Sequence, residues 1–250
     1  MQFRVIIPVR MGAQRLPNKP LLPINGMPMI QHTYNVATQS GAVEAIIATD
    51  SHEIAEVCRD FGAPVCMTSP DHKTGSERIA EAVEALGFDE EDIIVNLQGD
   101  EPLMPAGIIH QVAHALDVHD NAKIATICRK ITDDAAIFDP HVVKVVFNKR
   151  NQAMYFSRAA IPWERDNFSE QPMKSECSHY HHIGIYAYRV GFLQEYLRSM
   201  PCDIELYENL EQLRILWHGH RIHMCTTDVE VPKGVDTQAD LDRVRSIMES

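Results

Sequence analysis

The chain has 250 residues, 45% of them hydrophobic, and a formal net charge of -12. That excess of carboxylates disfavours nucleic-acid backbones and anionic membrane surfaces as partners. No stretch approaches the roughly 20 apolar residues of a membrane-spanning helix, the N-terminus lacks a secretory core, and six cysteines form no Cys-x-x-Cys pair, so a cytoplasmic protein with reduced thiols is expected.

The first apolar run, residues 3–9, predicts a buried strand that leads directly into a Gly/Pro-punctuated loop carrying Arg10, Gly12, Arg15, Pro17, Lys19 and Pro20. The first acidic residue is Glu44, so this loop is a cationic exception in an acidic protein. Open α/β sheets bind ligands outside the carboxyl ends of their strands, and a small polyphosphate suits such a loop; a solvated basic turn is the alternative. A helix from about residue 28 follows, then a strand at 45–49, a helix at 51–61, a strand at 64–68, a helix near 76–86, a strand at 92–97, a helix at 105–118 and a strand at 123–128. Gly41 and Gly62 stand where helices should stop, and Pro28 and Pro105 suit first helical turns. This alternation predicts a Rossmann-like α/β fold, mostly parallel, with helices on both faces.

After residue 138 the rhythm changes: strand-like runs at 142–147, 153–159 and 183–188 come closer together and predict a mixed or antiparallel lobe inserted in one continuous domain, with dimerisation as one use for it. Residues 163–180 are polar with little periodicity and read as a mobile loop. Leu206, Leu210, Leu213 and Trp217 recur at helical spacing and predict a helix over 204–218. A strand near 221–226 and a helix from Thr237 close the chain.

Neither a Walker loop nor a Gly-x-Gly-x-x-Gly turn is present, so any phosphate cradle must be built from Arg10, Arg15 and Lys19, with Gly12 admitting backbone amides. Asn96-Leu97-Gln98-Gly99-Asp100-Glu101-Pro102 follows an apolar run; Asp100 is a plausible Mg²⁺ ligand, or the segment is a polar turn that ends a strand. In Gly234-Val235-Asp236-Thr237-Gln238-Ala239-Asp240, Thr237 and Asp240 suit a helix cap. Asp236 is either a charge favoured near that helix or a second Mg²⁺ carboxylate. In His72-Lys73-Thr74-Gly75-Ser76-Glu77-Arg78, Thr74 and Glu77 fit a capping box, while Arg78 can face a nucleotide. Cys177, His179, His181 and His182 match no common structural-zinc spacing, and His218, His220 and His223 read as a solvated turn.

Taken together these segments closely resemble the 3-deoxy-manno-octulosonate cytidylyltransferase (CMP-Kdo synthetase) family, over nearly the whole chain. The residues that carry the likeness include Ile7-Pro8-Val9-Arg10, Arg15-Leu16-Pro17-Asn18-Lys19-Pro20-Leu21, Gly75-Ser76-Glu77-Arg78 and Asn96 to Pro102. Tyr155-Phe156-Ser157-Arg158-Ala159, His182-Ile183-Gly184-Ile185-Tyr186 and Leu210-Glu211-Gln212-Leu213-Arg214, in that order, narrow it to enzymes acting on Kdo. Val9, Met11, Gln14 and Asn18 depart from the family pattern in the phosphate loop; Asn18 replaces a glycine and tolerates the left-handed turn that glycine would make.

The resemblance implies a nucleotide-diphospho-sugar transferase type of fold and the reaction of CTP with Kdo to give CMP-Kdo and pyrophosphate, for lipopolysaccharide biosynthesis. It implies catalysis by Arg10, Lys19, Asp100 and Asp236, with Mg²⁺ held by Asp100 and Asp236. CTP would lie against Pro8, Arg10, Arg15, Lys19, Ser76, Arg78 and Asp100, and Kdo against Gln98, Arg158, Arg165, His182, Tyr186, Glu211 and Gln212. Residues 1–138 would mainly bind CTP, 139–226 would bind the sugar and form a homodimer, and 227–250 would close the metal site. The rival readings are another sugar nucleotidyltransferase, a glycosyltransferase of similar fold, and a catalytically silent nucleotide-binding protein.

Overall fold

The computed structural model describes residues 1–12, 15–72, 74–119, 122–168 and 177–249. The apolar runs pair much as their patterning predicts. Strands β1 (Arg4–Val9), β4 (Glu44–Thr49), β5 (Val65–Met67) and β6 (Ile93–Asn96) lie parallel, in the order β6-β1-β4-β5. Two short strands, β2 (Pro23–Ile24) and β3 (Met27–Pro28), form a separate hairpin between β1 and the first helix.

The second half extends this same sheet. Strand β10 (Tyr180–Arg189) runs antiparallel between β6 and β7 (Ile124–Lys130), and β11 (His223–Thr227) lies parallel to β7 at the edge. A hairpin of β8 (Lys144–Phe147) and β9 (Ala153–Ser157) branches from β10. The mixed character expected after residue 138 is therefore real: β10 and the β8–β9 hairpin that pairs with it break the parallel pattern inside one continuous sheet. His223 is part of β11, not of a solvated turn.

Alternation along β1 explains why it is buried on both faces. Val5 and Ile7 face one core with α1 (Met29–Gln39), α2 (His52–Asp60) and α4 (Ala106–Asp117), through Ile30, Ile54 and Ile109. Ile6 faces the opposite core with α3 (Gly75–Ala85) and α6 (Val190–Arg198), through Ile79, Val83 and Phe192. Successive strand side chains point to opposite faces, and each fully buried Ile or Leu contributes roughly 1.5–3 kcal/mol.

Helix ends follow the capping chemistry in the sequence. Ser51 caps α2, and Thr74 with Glu77 closes a reciprocal capping box on α3. Thr237 and Asp240 exchange the same pair of bonds at the start of α9 (Gln238–Glu249). Gly41 and Gly62 adopt positive φ just beyond α1 and α2, where an L side chain would be strained. Pro28 and Pro105 sit one residue before their helices, as caps.

The helix expected over 204–218 is two: α7 (Asp203–Glu208) and α8 (Gln212–Trp217). Asn209 is left-handed, φ 52 and ψ 52, and ends α7. The stripe is accordingly not one face, for Leu210 and Leu213 are buried while Leu206 and Trp217 are 66% and 61% exposed. Two helices had no clear sequence signal: α5 (Asp134–Phe138) is only five residues, and α6 continues straight from β10 with no turn residue between them. Of the mobile loop expected at 163–180, residues 169–176 lie outside the described residues. No helix among the described residues is long and apolar enough to cross a membrane.

Candidate active site

The carboxyl ends of β1 and β6 and the N-terminus of α3 meet at a cavity of about 260 Å³, walled by Pro8, Arg10, Gly12, Lys19, Thr74, Gly75, Arg78, Gln98 and Asp100 among others. Each wall follows from local chemistry. Asn18 takes the left-handed conformation, φ 55, and starts a single 3-10 turn over Lys19–Leu21 whose Pro20 is buried. That turn sends the Lys19 side chain back across the strand ends. Glycine at 75 brings the start of α3 close to β1, for a Cβ there would lie 3.2 Å from Pro8 Cγ. Free amides at a helix N-terminus form a ready anion site.

Lys19 is the centre of the arrangement. Its ammonium donates to Asp100 Oδ2 at 2.6 Å, to the Val235 carbonyl at 3.0 Å and to Asp236 Oδ1 at 3.3 Å. Two aspartates separated by more than half the chain thus meet on one cation. The approach is built into the backbone: Val235 N donates to the Asp100 carbonyl at 2.9 Å, and Gly234 leaves no space for a side chain against Glu101 and that same carbonyl. Burial, with Asp100 and Asp236 close by, pushes the Glu101 carboxyl up to about 8. Asp100 and Asp236 present carboxylate oxygens, the hard donors that suit Mg²⁺.

Of the remaining phosphate-loop cations, Arg10 lines the cavity and is exposed. Arg15 pairs with Asp236 Oδ2 at 3.3 Å and lies outside the wall. Ala13, Gln14 and Lys73 fall outside the described residues. Arg78 is buried, donates to Thr68 Oγ1 and pairs with Asp50 at 3.4 Å, so its guanidinium is held in place against the cavity.

A second cavity, of about 330 Å³, adjoins the first: Gly75 and Gln98 line both. Its wall includes Ser76, Asn96, Tyr186, Tyr188, Tyr196, Glu211 and Gln212. The break at Asn209 turns the chain so that Glu211 and Gln212 reach it. Ser76 Oγ donates to Glu211 Oε2 at 3.3 Å, and burial raises the Glu211 pKa. Tyr186 Oη is buried and has no hydrogen-bond partner among the described residues. An orphaned hydroxyl in a polar cavity costs about 1–3 kcal/mol, which a ligand hydroxyl or water would recover.

Gln98, Tyr186, Glu211 and Gln212 are therefore brought together from three distant stretches of sequence. Ser76 lies on this second wall and not on the first. Arg158, Arg165 and His182 line neither cavity. Arg158 is spent on backbone carbonyls, donating to Glu208 O at 2.7 Å and Pro140 O at 2.9 Å. Arg165 is exposed and paired with its neighbour Asp166. His182, itself in β10, is buried with Nε2 against Thr126 Oγ1 of β7, at 2.9 Å. Tyr188, Tyr196 and Asn96 were absent from the sequence-derived set; Tyr188 was findable, because it shares Tyr186's face of β10 two residues on.

A phosphate-sized cradle at the strand ends, a carboxylate pair and an adjoining polar chamber define a nucleotidyltransferase type of α/β enzyme. The cytidylyltransferase family profile matches residues 4–222. A 3-deoxy-manno-octulosonate cytidylyltransferase of Coxiella burnetii (strain Dugway 5J108-111) is 58% identical over 247 residues, 98% of this chain and 99% of that one. A 3-deoxy-manno-octulosonate cytidylyltransferase 1 of Hydrogenovibrio crunogenus is 48% identical over 250 residues, 99% of this chain and 96% of that one. The solved structure of a CMP:2-keto-3-deoxy-manno-octonic acid synthetase complexed with CTP superposes with a TM-score of 0.91 at 37% identity, covering 100% of this chain and 99% of that one. The chain belongs to the 3-deoxy-manno-octulosonate cytidylyltransferase family.

Proposed function

We propose that this enzyme transfers CMP from CTP to Kdo and releases pyrophosphate, with the triphosphate in the first cavity and the sugar in the second. The observation that carries the reading is the Lys19, Asp100 and Asp236 cluster at the rim of a cavity that shares Gly75 and Gln98 with a polar chamber. The sugar's anomeric hydroxyl oxygen attacks the α-phosphorus, the bond to the β-phosphate oxygen breaks, and the hydroxyl proton is lost. No covalent bond to the protein is required, so positioning and charge stabilisation supply the acceleration.

Arg10 and the amides opening α3 hold phosphate oxygens, and Arg78 bounds the nucleotide from its buried ion pair. Lys19 has all three protons engaged, so a phosphate oxygen must replace one of its present acceptors. Asp100 and Asp236 are the groups that would hold Mg²⁺, and their carboxylate oxygens fit a hard cation. When bound, that ion neutralises phosphate oxygens and lowers the pKa of a coordinated hydroxyl. In the second cavity, Tyr186 Oη, Gln98 and Gln212 offer bonds to sugar hydroxyls. Arg158 would need to exchange carbonyl bonds to reach a sugar carboxylate.

A cytoplasmic location and a homodimer complete the proposal. The large side chains Met154 on β9 and Leu206 and Tyr207 on α7 are exposed and would be covered in a dimer. The functional test is pyrophosphate release from CTP with Kdo, run beside sialic acid, an amino-substituted Kdo and a sugar 1-phosphate. Release with Kdo alone supports the reading; preference for another acceptor, or CTP binding without turnover, overturns it.

A further inference from the structure

We infer that Glu164, Cys177 and His179 form a site for a thiophilic divalent cation, Zn²⁺ by its chemistry, separate from the Asp100 and Asp236 pair. These three residues line neither cavity, and the proposal does not depend on the reaction assigned above. Each offers one ligand atom, and the three atoms lie within 4.8 Å of one another.

The orientation of the histidine is the second observation. His179 is buried, and its Nε2 lies 2.9 Å from the Pro162 carbonyl. A carbonyl only accepts, so Nε2 carries a proton, and in the neutral imidazole Nδ1 is the ligating nitrogen, 4.0 Å from Glu164 Oε1. A ligating histidine held through its other nitrogen by a backbone carbonyl is the usual outer-shell arrangement of metal sites. Phe168 stacks on the same ring, 5.6 Å between centroids, and fixes its plane. Glu164 is held as well: Oε1 accepts from Cys177 N at 3.0 Å and Oε2 from Asn167 Nδ2 at 2.9 Å.

Tetrahedral zinc with bonds of about 2.0–2.3 Å places its ligand atoms about 3.3–3.7 Å apart, so the cluster needs to contract by about 1 Å at its widest edge. Exposed Cys177 gives the ion a path in. A thiolate, an imidazole and a carboxylate select Zn²⁺ over Mg²⁺, whereas the two aspartates of the catalytic cluster select the reverse. Bound metal would join residue 164 to residue 177 and stabilise the folded state by mass action.

The test uses full-length protein stripped with chelator and held in excess Mg²⁺, which competes for the aspartate pair. Zn²⁺ is titrated against a chromophoric chelator, and Co²⁺ is used as a spectroscopic probe. One equivalent of tight Zn²⁺ and a thiolate-to-cobalt charge-transfer band are expected. Both should disappear in Cys177→Ser, a change at an exposed position, and His179→Gln should weaken Zn²⁺ at least tenfold. Asp236→Asn should leave both unchanged. The other thiols are buried or half-buried, so a band that survives in Cys177→Ser, a Co²⁺ spectrum without thiolate character, or Zn²⁺ loss in Asp236→Asn overturns the assignment.

Discussion

Replacing Gly234 by alanine tests whether the loop carrying Asp236 is held by contact with Asp100 and Glu101. A Cβ at position 234 would lie 2.7 Å from Glu101 Oε1, 2.9 Å from Glu101 Cδ and 2.9 Å from the Asp100 carbonyl oxygen. The Glu101 oxygens can rotate, but the carbonyl belongs to the backbone and already accepts from Val235 N. Restoring ordinary contact moves the 234–236 segment by about 0.5 Å, and a misplacement of about 1 Å can cost a reaction 10²-fold. Roughly a tenfold fall in kcat is expected, equivalent to about 1.4 kcal/mol of barrier. Overpacking should also cost about 1–3 kcal/mol of stability, which lowers Tm by several degrees.

The assay is steady-state pyrophosphate release with both substrates varied, together with thermal unfolding. Gly107→Ala is the control: it lies in α4, where a Cβ would meet nothing within 4 Å, so activity should hold and Tm should not fall. If Gly234→Ala matches wild type in both kcat and Tm, the contact does not position Asp236 and the reasoning fails.

Three more expectations concern other parts of the molecule. Asp100→Asn should lower pyrophosphate release by at least about 10²-fold, on the scale of losing a principal electrostatic group, while circular dichroism stays native; near-normal turnover would remove Asp100 from the chemistry. Lys144 is fully buried, its pKa lowered by burial, and it donates to the carbonyls of Asp139, Val142 and Arg158 at 2.6–2.8 Å. Lys144→Met should cost on the order of 3 kcal/mol in urea unfolding by leaving those acceptors dry, and a neutral result would show that they find other donors. Burial holds His182 down to about 3, so the unfolded chain binds more protons between about pH 6.5 and 3. The stability from keeping this ring neutral is complete above about 6.5 and is lost progressively as pH falls toward 3. Against wild type, Tm of His182→Gln should fall less steeply across that window; parallel curves would place the acid sensitivity elsewhere.

The β1 strand and its basic loop were legible because a β-branched run ends abruptly in cations, and Asn18 takes the left-handed turn expected of it. The capping pairs at Thr74 and Thr237 were legible for the same local reason. Asp100 could be proposed from its place after an apolar run, but its meeting with Asp236 depends on a backbone bond between Val235 and Asp100, and only the family resemblance pointed there. Arg158 shows the opposite limit: a guanidinium suits a sugar carboxylate, yet sequence does not report that carbonyls of Pro140 and Glu208 already engage it. The α7 and α8 break was hidden because Asn209 ends a helix where neither Gly nor Pro marks the position. Strand β10 was read as a short run because the sequence carries no sign that it crosses between β6 and β7.

Gly75 and Gln98 form a party wall between the two chambers. A Cβ added at 75 would crowd Pro8 at 3.2 Å and touch the Gln98 amide at 3.5 Å. With donor and acceptor placed as proposed, acceptor specificity cannot be redesigned there without disturbing the donor. Under the proposed assignment, substitutions intended to admit a bulkier sugar belong on the far side, around Tyr196 and Gln212, which line only the second chamber.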